Sequence, residues 1–298
     1  MHRLLNFAVE KRRSLGVSDT NAMRLIDGDG DHLPGIFLDA FADRWLLSTT
    51  ASSIPHPLRD WLVAQNRSCY WKRLDQHQKA SPIHVSGDPV ESPFLIRENG
   101  LSFEIAFQSG YSQGIFLDQR DNRSEVRTRM APGMRLLNTF AYTGAFSVAA
   151  AAAGGETTTL DLSQPYLDWA RRNFTYNGIA PEAHHFCKGD TFHWLRRFAK
   201  QGRRFDGIIL DPPTFSRADD GKIFRVEKDF GALAASAAEV LSADGWLLCC
   251  TNFRGISAAE FERQLAVAVP HLKRRKHSAM PPDFTGEPYL KSLWLQHH

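Results

Sequence analysis

Apolar positions along the chain change rhythm near residue 107. Before that point they fall in short runs, Met23 to Asp39, Arg44 to Thr50 and Pro93 to Phe107, punctuated by Gly and Asp as strands and turns are. A helix interrupts them at Pro57 to Gln65, where Leu58, Trp61, Leu62 and Gln65 share one face behind an early proline. From Met134 the pattern becomes strands alternating with helices of about ten residues or more, which predicts a parallel α/β sheet. The spacing predicts strands at 134–140, 156–162, 183–189, 205–213 and 246–252. It predicts helices at 143–155, 164–177, 191–202, 227–241 and 258–269, and two closing strands at 272–278 and 289–296. Gly154 and Gly155 stop the first of these helices, and Ser257 with Glu260 forms a capping box for the last. The organisation expected is a β-rich α+β domain over 1–107 and an α/β domain over 108–298.

Composition narrows the class. With 43% apolar and 23% charged residues the chain is an ordinary globular one, which excludes disordered and collagen-like readings. No run approaches the roughly 18 apolar residues of a spanning helix. The N-terminal His2-Arg3 and Lys11-Arg12-Arg13 put charge where a signal peptide has its apolar segment, so a cytoplasmic chain without membrane contact is expected. Four cysteines, Cys69, Cys187, Cys249 and Cys250, form neither a disulfide framework nor a C-x-x-C metal pair, and read as small buried residues. Net charge is +3, which permits a nucleic-acid partner without requiring one.

Ligands of open α/β sheets sit outside the carboxyl ends of the strands. Four of those ends are polar here. The first delivers Asn138 to Gly144, whose glycine allows close backbone approach. About twenty residues on, Asp161 ends the second, where an acid can accept ribose hydroxyls. The third ends in Lys188-Gly-Asp-Thr-Phe192, an acid for an exocyclic amine with an aromatic face for a purine. The fourth ends in Asp211-Pro-Pro-Thr-Phe215.

This arrangement resembles the class I S-adenosylmethionine-dependent methyltransferases. Gly114 to Arg120, Asn138 to Gly144, Asp161 to Ser163, Asp211 to Pro213 and, further upstream, Arg24 to Gly35 narrow it to the bacterial large-subunit ribosomal RNA methyltransferases of the RlmI and RlmK kind. The resemblance implies a Rossmann-like seven-stranded methyltransferase domain preceded by a smaller α+β domain; with only about twenty residues before the match, the RlmI branch's N-terminal PUA domain is expected to be lacking. It implies S-adenosylmethionine as cofactor, S-adenosylhomocysteine as product, RNA as partner, and it allows a homodimer. By position, Gln119 and Arg120 would line the methionine end, and Phe140, Tyr142, Thr143 and Gly144 would wrap the chain. Asp161 would hold the ribose, Asp190 and Phe192 would address adenine, and Asp211 would stand between cofactor and target. Asn138, Leu162, Ser163, Asn177, Gly189 and Thr191 complete the expected cofactor set, and Asp211, Pro212, Pro213 and Asn252 the catalytic one; no metal is expected.

Cytosine C5 methylation needs a cysteine thiolate that adds to the ring. In the cytosine-modifying relatives that thiol lies in Ser-Cys-Ser-Gly after the fifth strand, where this chain has Thr251-Asn252-Phe253-Arg254. Guanine N7 carries a free lone pair and needs only orientation, so a purine is favoured. Two rival readings are transfer to a small molecule or free nucleoside, and a non-catalytic cofactor- or RNA-binding module. Lys11-Arg12-Arg13 and Lys273 to Lys276 are candidate phosphate contacts, and Ser216 to Phe224 a candidate lid. Asp27, Asp29 and Asp31 mimic a calcium loop but lack its glycine and terminal glutamate, and read as a hairpin turn. His184 and His185 point opposite ways on a strand and cannot share a metal.

Overall fold

A computed structural model describes residues 1–17, 19–74, 80–90, 93–110, 112–217 and 223–297. The chain divides into two compact units. The first comprises Met1–Arg120 with Pro281–Pro288, and the second Asp121–Met280 with Tyr289–His298.

In the first unit, β1 (Ala22–Asp27), β2 (Ile36–Phe41), β3 (Arg44–Thr49), β4 (Cys69–Arg73) and β5 (Ile83–Ser86) form one sheet in that order. Each pairing is antiparallel except β3 with β4. The expected helix before β4 is α2 (His56–Ala64), which buries Leu58, Trp61 and Leu62. A separate hairpin joins β6 (Phe94–Glu98) to β7 (Leu101–Ile105). The N-terminal segment, read from sequence only for its charge, is a helix, α1 (His2–Arg13). Its Leu5, Ala8, Val9 and Arg12 recur every three or four residues and form the buried stripe.

Buried charge organises this unit. Arg12 donates to both carboxylate oxygens of Asp31, to the Thr285 hydroxyl at 2.7 Å and to the Asp283 carbonyl at 3.1 Å. That overturns Arg12 as a phosphate contact, because its guanidinium is fully buried and engaged. Asp283, itself 0% exposed, accepts both terminal nitrogens of Arg120 and the Arg24 N–H. Arg24 spans Asp27 and Asp39, each at 2.6 Å. The acidic turn between β1 and β2 is thus held by arginine, as a turn and not an ion loop. At Gly30 the backbone of Thr285 and Gly286 lies where a Cβ would stand, so the returning segment 281–288 requires glycine there.

The second unit holds seven strands: β8 (Arg135–Thr139), β9 (Glu156–Asp161), β10 (His185–Lys188), β11 (Phe205–Leu210), β14 (Leu241–Thr251), β15 (Leu272–Ser278) and β16 (Lys291–His297). Their order is β10-β9-β8-β11-β14-β16-β15. The first five run parallel, and β16 is antiparallel to both β14 and β15. The helices α3 (Arg120–Arg129), α4 (Ala145–Ala152), α5 (Gln164–Tyr176), α6 (Thr191–Lys200), α7 (Val226–Ala238) and α8 (Ala258–Ala268) connect or flank them. Ser257 caps α8 by accepting the Glu260 N–H. A short antiparallel pair, β12 (Phe215–Arg217) with β13 (Ile223–Arg225), precedes α7. The candidate lid falls on this pair, and its residues 218–222 lie outside the described residues. The core under the sheet includes Leu137, Leu160, Leu210, Phe230, Leu247 and Phe261. Among the described residues no helix is long and apolar enough to cross a membrane.

Replacing Asp283 with Ala would leave the Arg120 guanidinium buried without its carboxylate. That type of loss costs about 3–5 kcal/mol, so a denaturant titration should show a corresponding drop in unfolding free energy. A change within about 0.5 kcal/mol would show that the pair does not hold the unit together.

Candidate functional site

Five neighbouring parallel strands present their carboxyl ends on one edge of the second unit's sheet, so the polar turns after β10, β9, β8, β11 and β14 share that edge. With strands about 4.8 Å apart, the edge is wide enough for a ligand of nucleoside size.

The turn after β8 is held in an uncommon conformation. Phe140, Tyr142 and Gly144 have φ of 52°, 51° and 74°. Positive φ is easy for Gly144 but costs a bulky aromatic residue about 1–3 kcal/mol. Four hydrogen bonds hold the turn. Ala141 N donates to the Leu160 carbonyl (3.0 Å), Tyr142 N to Asp161 Oδ2 (2.8 Å), Gly144 N to the Ala141 carbonyl (2.9 Å), and Asn173 Nδ2 to the Thr143 carbonyl (2.9 Å). A Cβ on Gly144 would meet that of Ala170 on α5 at 2.7 Å, so glycine also permits the close helix packing. Sequence reasoning singled out Gly144 and missed the strain at the two aromatics, which no propensity announces.

Asp161 sits at the centre of these contacts. Its carboxylate accepts Tyr142 N at 2.8 Å and Ser163 N at 2.9 Å, while its carbonyl accepts Gly189 N at 3.0 Å. It therefore ties together the turns after β8, β9 and β10. Burial raises its pKa above the ordinary 3.8, against the lowering effect of those N–H donors. A carboxylate has about four acceptor positions, so capacity remains for a further hydroxyl donor.

Asp190 caps α6 by accepting His193 N at 2.8 Å, and Thr191 opens that helix, buried. Phe192 and Phe140 both approach Phe224, with ring centroids 6.4 and 6.1 Å away, so three aromatics form an apolar wall beside the acids. Phe224 was expected only as the end of the candidate lid and not among the cofactor residues, since its place depends on the β12–β13 pairing. At the fourth and fifth ends, half-buried Asp211 is followed by buried Pro212 and exposed Pro213. The Thr214 hydroxyl then donates to Asn252 Oδ1 at 3.1 Å, joining the turns after β11 and β14. Lys291 Nζ donates to the Phe253 carbonyl at 2.8 Å and steadies the second of them.

One expected residue stands away from the strand ends. Asn177 caps the far end of α5, donating to the Asn173 carbonyl at 2.8 Å. A helix of 13 residues is about 20 Å long, and it carries Asn177 away from the strand ends. Gln119 and Arg120 belong to the first unit, where both are buried and Arg120 pairs with Asp283. Asn138 is buried under the turn, with Nδ2 on Ser147 Oγ at 3.0 Å, and supports the start of α4.

The donor set suits an adenosine carrying an amino-acid tail: acids at the ribose and base positions, an aromatic wall, and a glycine turn before a helix N-terminus. Comparisons with known proteins agree. Residues 48–293 match the S-adenosylmethionine-dependent methyltransferase family. Ribosomal RNA large subunit methyltransferase I of Erwinia tasmaniensis is 33% identical over 91% of this chain and 71% of its own length. Ribosomal RNA large subunit methyltransferase K of Neisseria meningitidis serogroup B is 36% identical over 76% of this chain and 61% of its own. The solved structure of SMU.776 complexed with SAH superposes with a TM-score of 0.89 at 31% identity, covering 99% of this chain and 80% of that one.

Replacing Asp161 with Asn removes the charge that would accept a ligand hydroxyl. Hydrogen bonds to charged groups contribute about 1.5–3 kcal/mol, so calorimetry should show affinity for S-adenosylhomocysteine falling about 10- to 100-fold. In the wild type, binding is full above the raised pKa and declines as pH falls through it, beginning at a higher pH than an exposed Asp would give. The Asn variant should lose that acid-side decline.

Proposed function

The chain belongs to the S-adenosylmethionine-dependent methyltransferase family, and from that premise we propose that it methylates a base of large-subunit ribosomal RNA, at guanine N7 in preference to cytosine C5. The RNA substrate is supported by the relatives of RlmI and RlmK kind, which bear that activity in their names.

The observation that carries the choice of atom is the position of the thiols. Cytosine C5 chemistry needs an accessible thiolate. Cys249 and Cys250 are both 0% exposed inside β14. Burial pushes the Cys249 thiol far up, and the Cys250 thiol lies 3.5 Å from Ser292 Oγ. The position at the mouth of that strand is exposed Asn252, which cannot add to a ring. A purine nitrogen with a free lone pair needs no covalent adduct.

The cofactor, when bound, supplies a methyl group already activated on a sulfonium. In this reading, what remains for the protein is to hold an acceptor in line, an effect that can contribute about 7–11 kcal/mol. Asp161 holds the ribose, Asp190 accepts the exocyclic amine, and the aromatic wall takes the base. Asp211 and Asn252, on adjacent strand ends, face the acceptor. Asn252 has its carbonyl oxygen engaged by Thr214, so its amide N–H groups are the ones aimed at a substrate acceptor such as a guanine carbonyl.

Asp211→Ala and Asn252→Ala should each cut methyl transfer at least about tenfold, whereas Cys250→Ala should leave it within about twofold. Loss in the cysteine variant alone would reverse the choice of atom. Mass mapping of modified nucleosides in ribosomal RNA from cells with and without the protein tests the substrate: a 7-methylguanosine that disappears with the gene supports it. An unchanged set of large-subunit modifications would contradict it.

A further inference from the structure

A basic surface that the site leaves unused is the edge of the sheet at β10. Residues 164–206, which run from α5 through β10 and α6 into β11, hold eight Lys and Arg against four Asp and Glu. Three of those acids have internal partners: Asp168 accepts Gln164 Nε2, Asp190 caps α6, and Asp206 accepts Arg135 N. None of the ion pairs among the described residues takes in Arg171, Lys188, Arg196, Arg197 or Lys200, all of them exposed.

Two of these cations flank the edge strand, one on each side of the sheet. Arg171 lies over the Phe186 ring with its guanidinium carbon 4.1 Å from the centroid. Arg197 lies over Trp194 at 4.9 Å, and Trp194 in turn donates to the Lys188 carbonyl at 3.0 Å. The Cys187 sulfur, between Phe186 and Lys188, feels the charges of both Arg203 and Arg197. Stacking on a ring fixes the plane of a guanidinium while leaving its in-plane N–H donors turned outward, which suits two-pronged contact with phosphate.

The other basic tract of this unit differs. On β15, Arg274 is paired with Glu262 at 2.6 Å and Lys276 with Glu125 at 2.9 Å, so two of its cations are met within the protein. An edge-strand lysine such as Lys188 can serve only to deter sheet-to-sheet pairing. Arg171 and Arg197 stand on helices, where that purpose does not apply.

We propose that the sheet rim at β10, flanked on one side by Arg171 of α5 and on the other by Arg197 of α6, binds the phosphate backbone of the RNA substrate. This rests on the ribosomal RNA reading above and adds a surface to it.

The test measures binding, not methylation, on the full chain. The probes are a transcript of a large-subunit ribosomal RNA domain and a scrambled RNA of equal length. The triple variant Arg171→Gln, Lys188→Gln, Arg197→Gln should bind both RNAs at least about tenfold more weakly near 0.1 M salt, with a salt slope shallower by about two to three. Its affinity for S-adenosylhomocysteine should not change. Arg171→Lys with Arg197→Lys keeps the charge but loses the stacked fork, and should weaken binding less than the triple variant while keeping the wild-type salt slope. Should the triple variant fold poorly, R197E alone repeats the measurement with the same expected direction. Wild-type affinity and slope in the charge-removing variants would overturn the proposal. So would equal loss in the lysine variant, or cation-dependent capture by anionic phosphatidylserine vesicles with none by RNA. Absent methyl transfer with these binding results intact would instead refute the substrate reading alone.

Discussion

One carboxylate sets the geometry on which the site depends. Asp161 accepts N–H groups from the turn after β8 and from its own turn, and its backbone carbonyl receives the turn after β10. Phe140 and Tyr142 remain in left-handed conformations because this anchoring offsets their strain. The same carboxylate is the group best placed to read a ribose. In the proposed reading structure and binding draw on one residue, whose burial raises its pKa.

Much of this was legible in the sequence. Alternating strands and helices from Met134 onward gave the second unit, and the Gly, Asp, Asp and Asp-Pro-Pro at successive strand ends marked the edge that matters. Those signals are local: periodicity, caps, and acids at turns. The helix at His2–Arg13 was also locally encoded, in Leu5, Ala8 and Val9, but its short apolar stripe was overshadowed by flanking charge. Other features were not local. Segment 281–288 joins the first unit through Asp283 and Thr285, and nothing in its own composition points to Arg12, Arg24 or Arg120 far away in the chain. Phe224 reaches the aromatic wall through a short strand pair, and Asn177 misses the site because a full helix separates it from Ser163.

Charge is used in three ways across the molecule. In the first unit, arginines and aspartates are buried together, where each must satisfy the other or destabilise the fold. On β15, cations are matched by surface glutamates. Around β10, Arg171 and Arg197 enter none of the ion pairs among the described residues and are set against aromatic rings. A net charge of +3 conceals these differences, so partner chemistry has to be read from how each cation is paired.

The most direct test is a crystal structure of the protein with S-adenosylhomocysteine. The account predicts the ribose hydroxyls within hydrogen-bond distance of the Asp161 carboxylate, with Tyr142 N and Ser163 N still bound to it, and the adenine beside Phe192. Ligand density at another place in the second unit, or an Asp161 side chain turned away from the ribose, would contradict it.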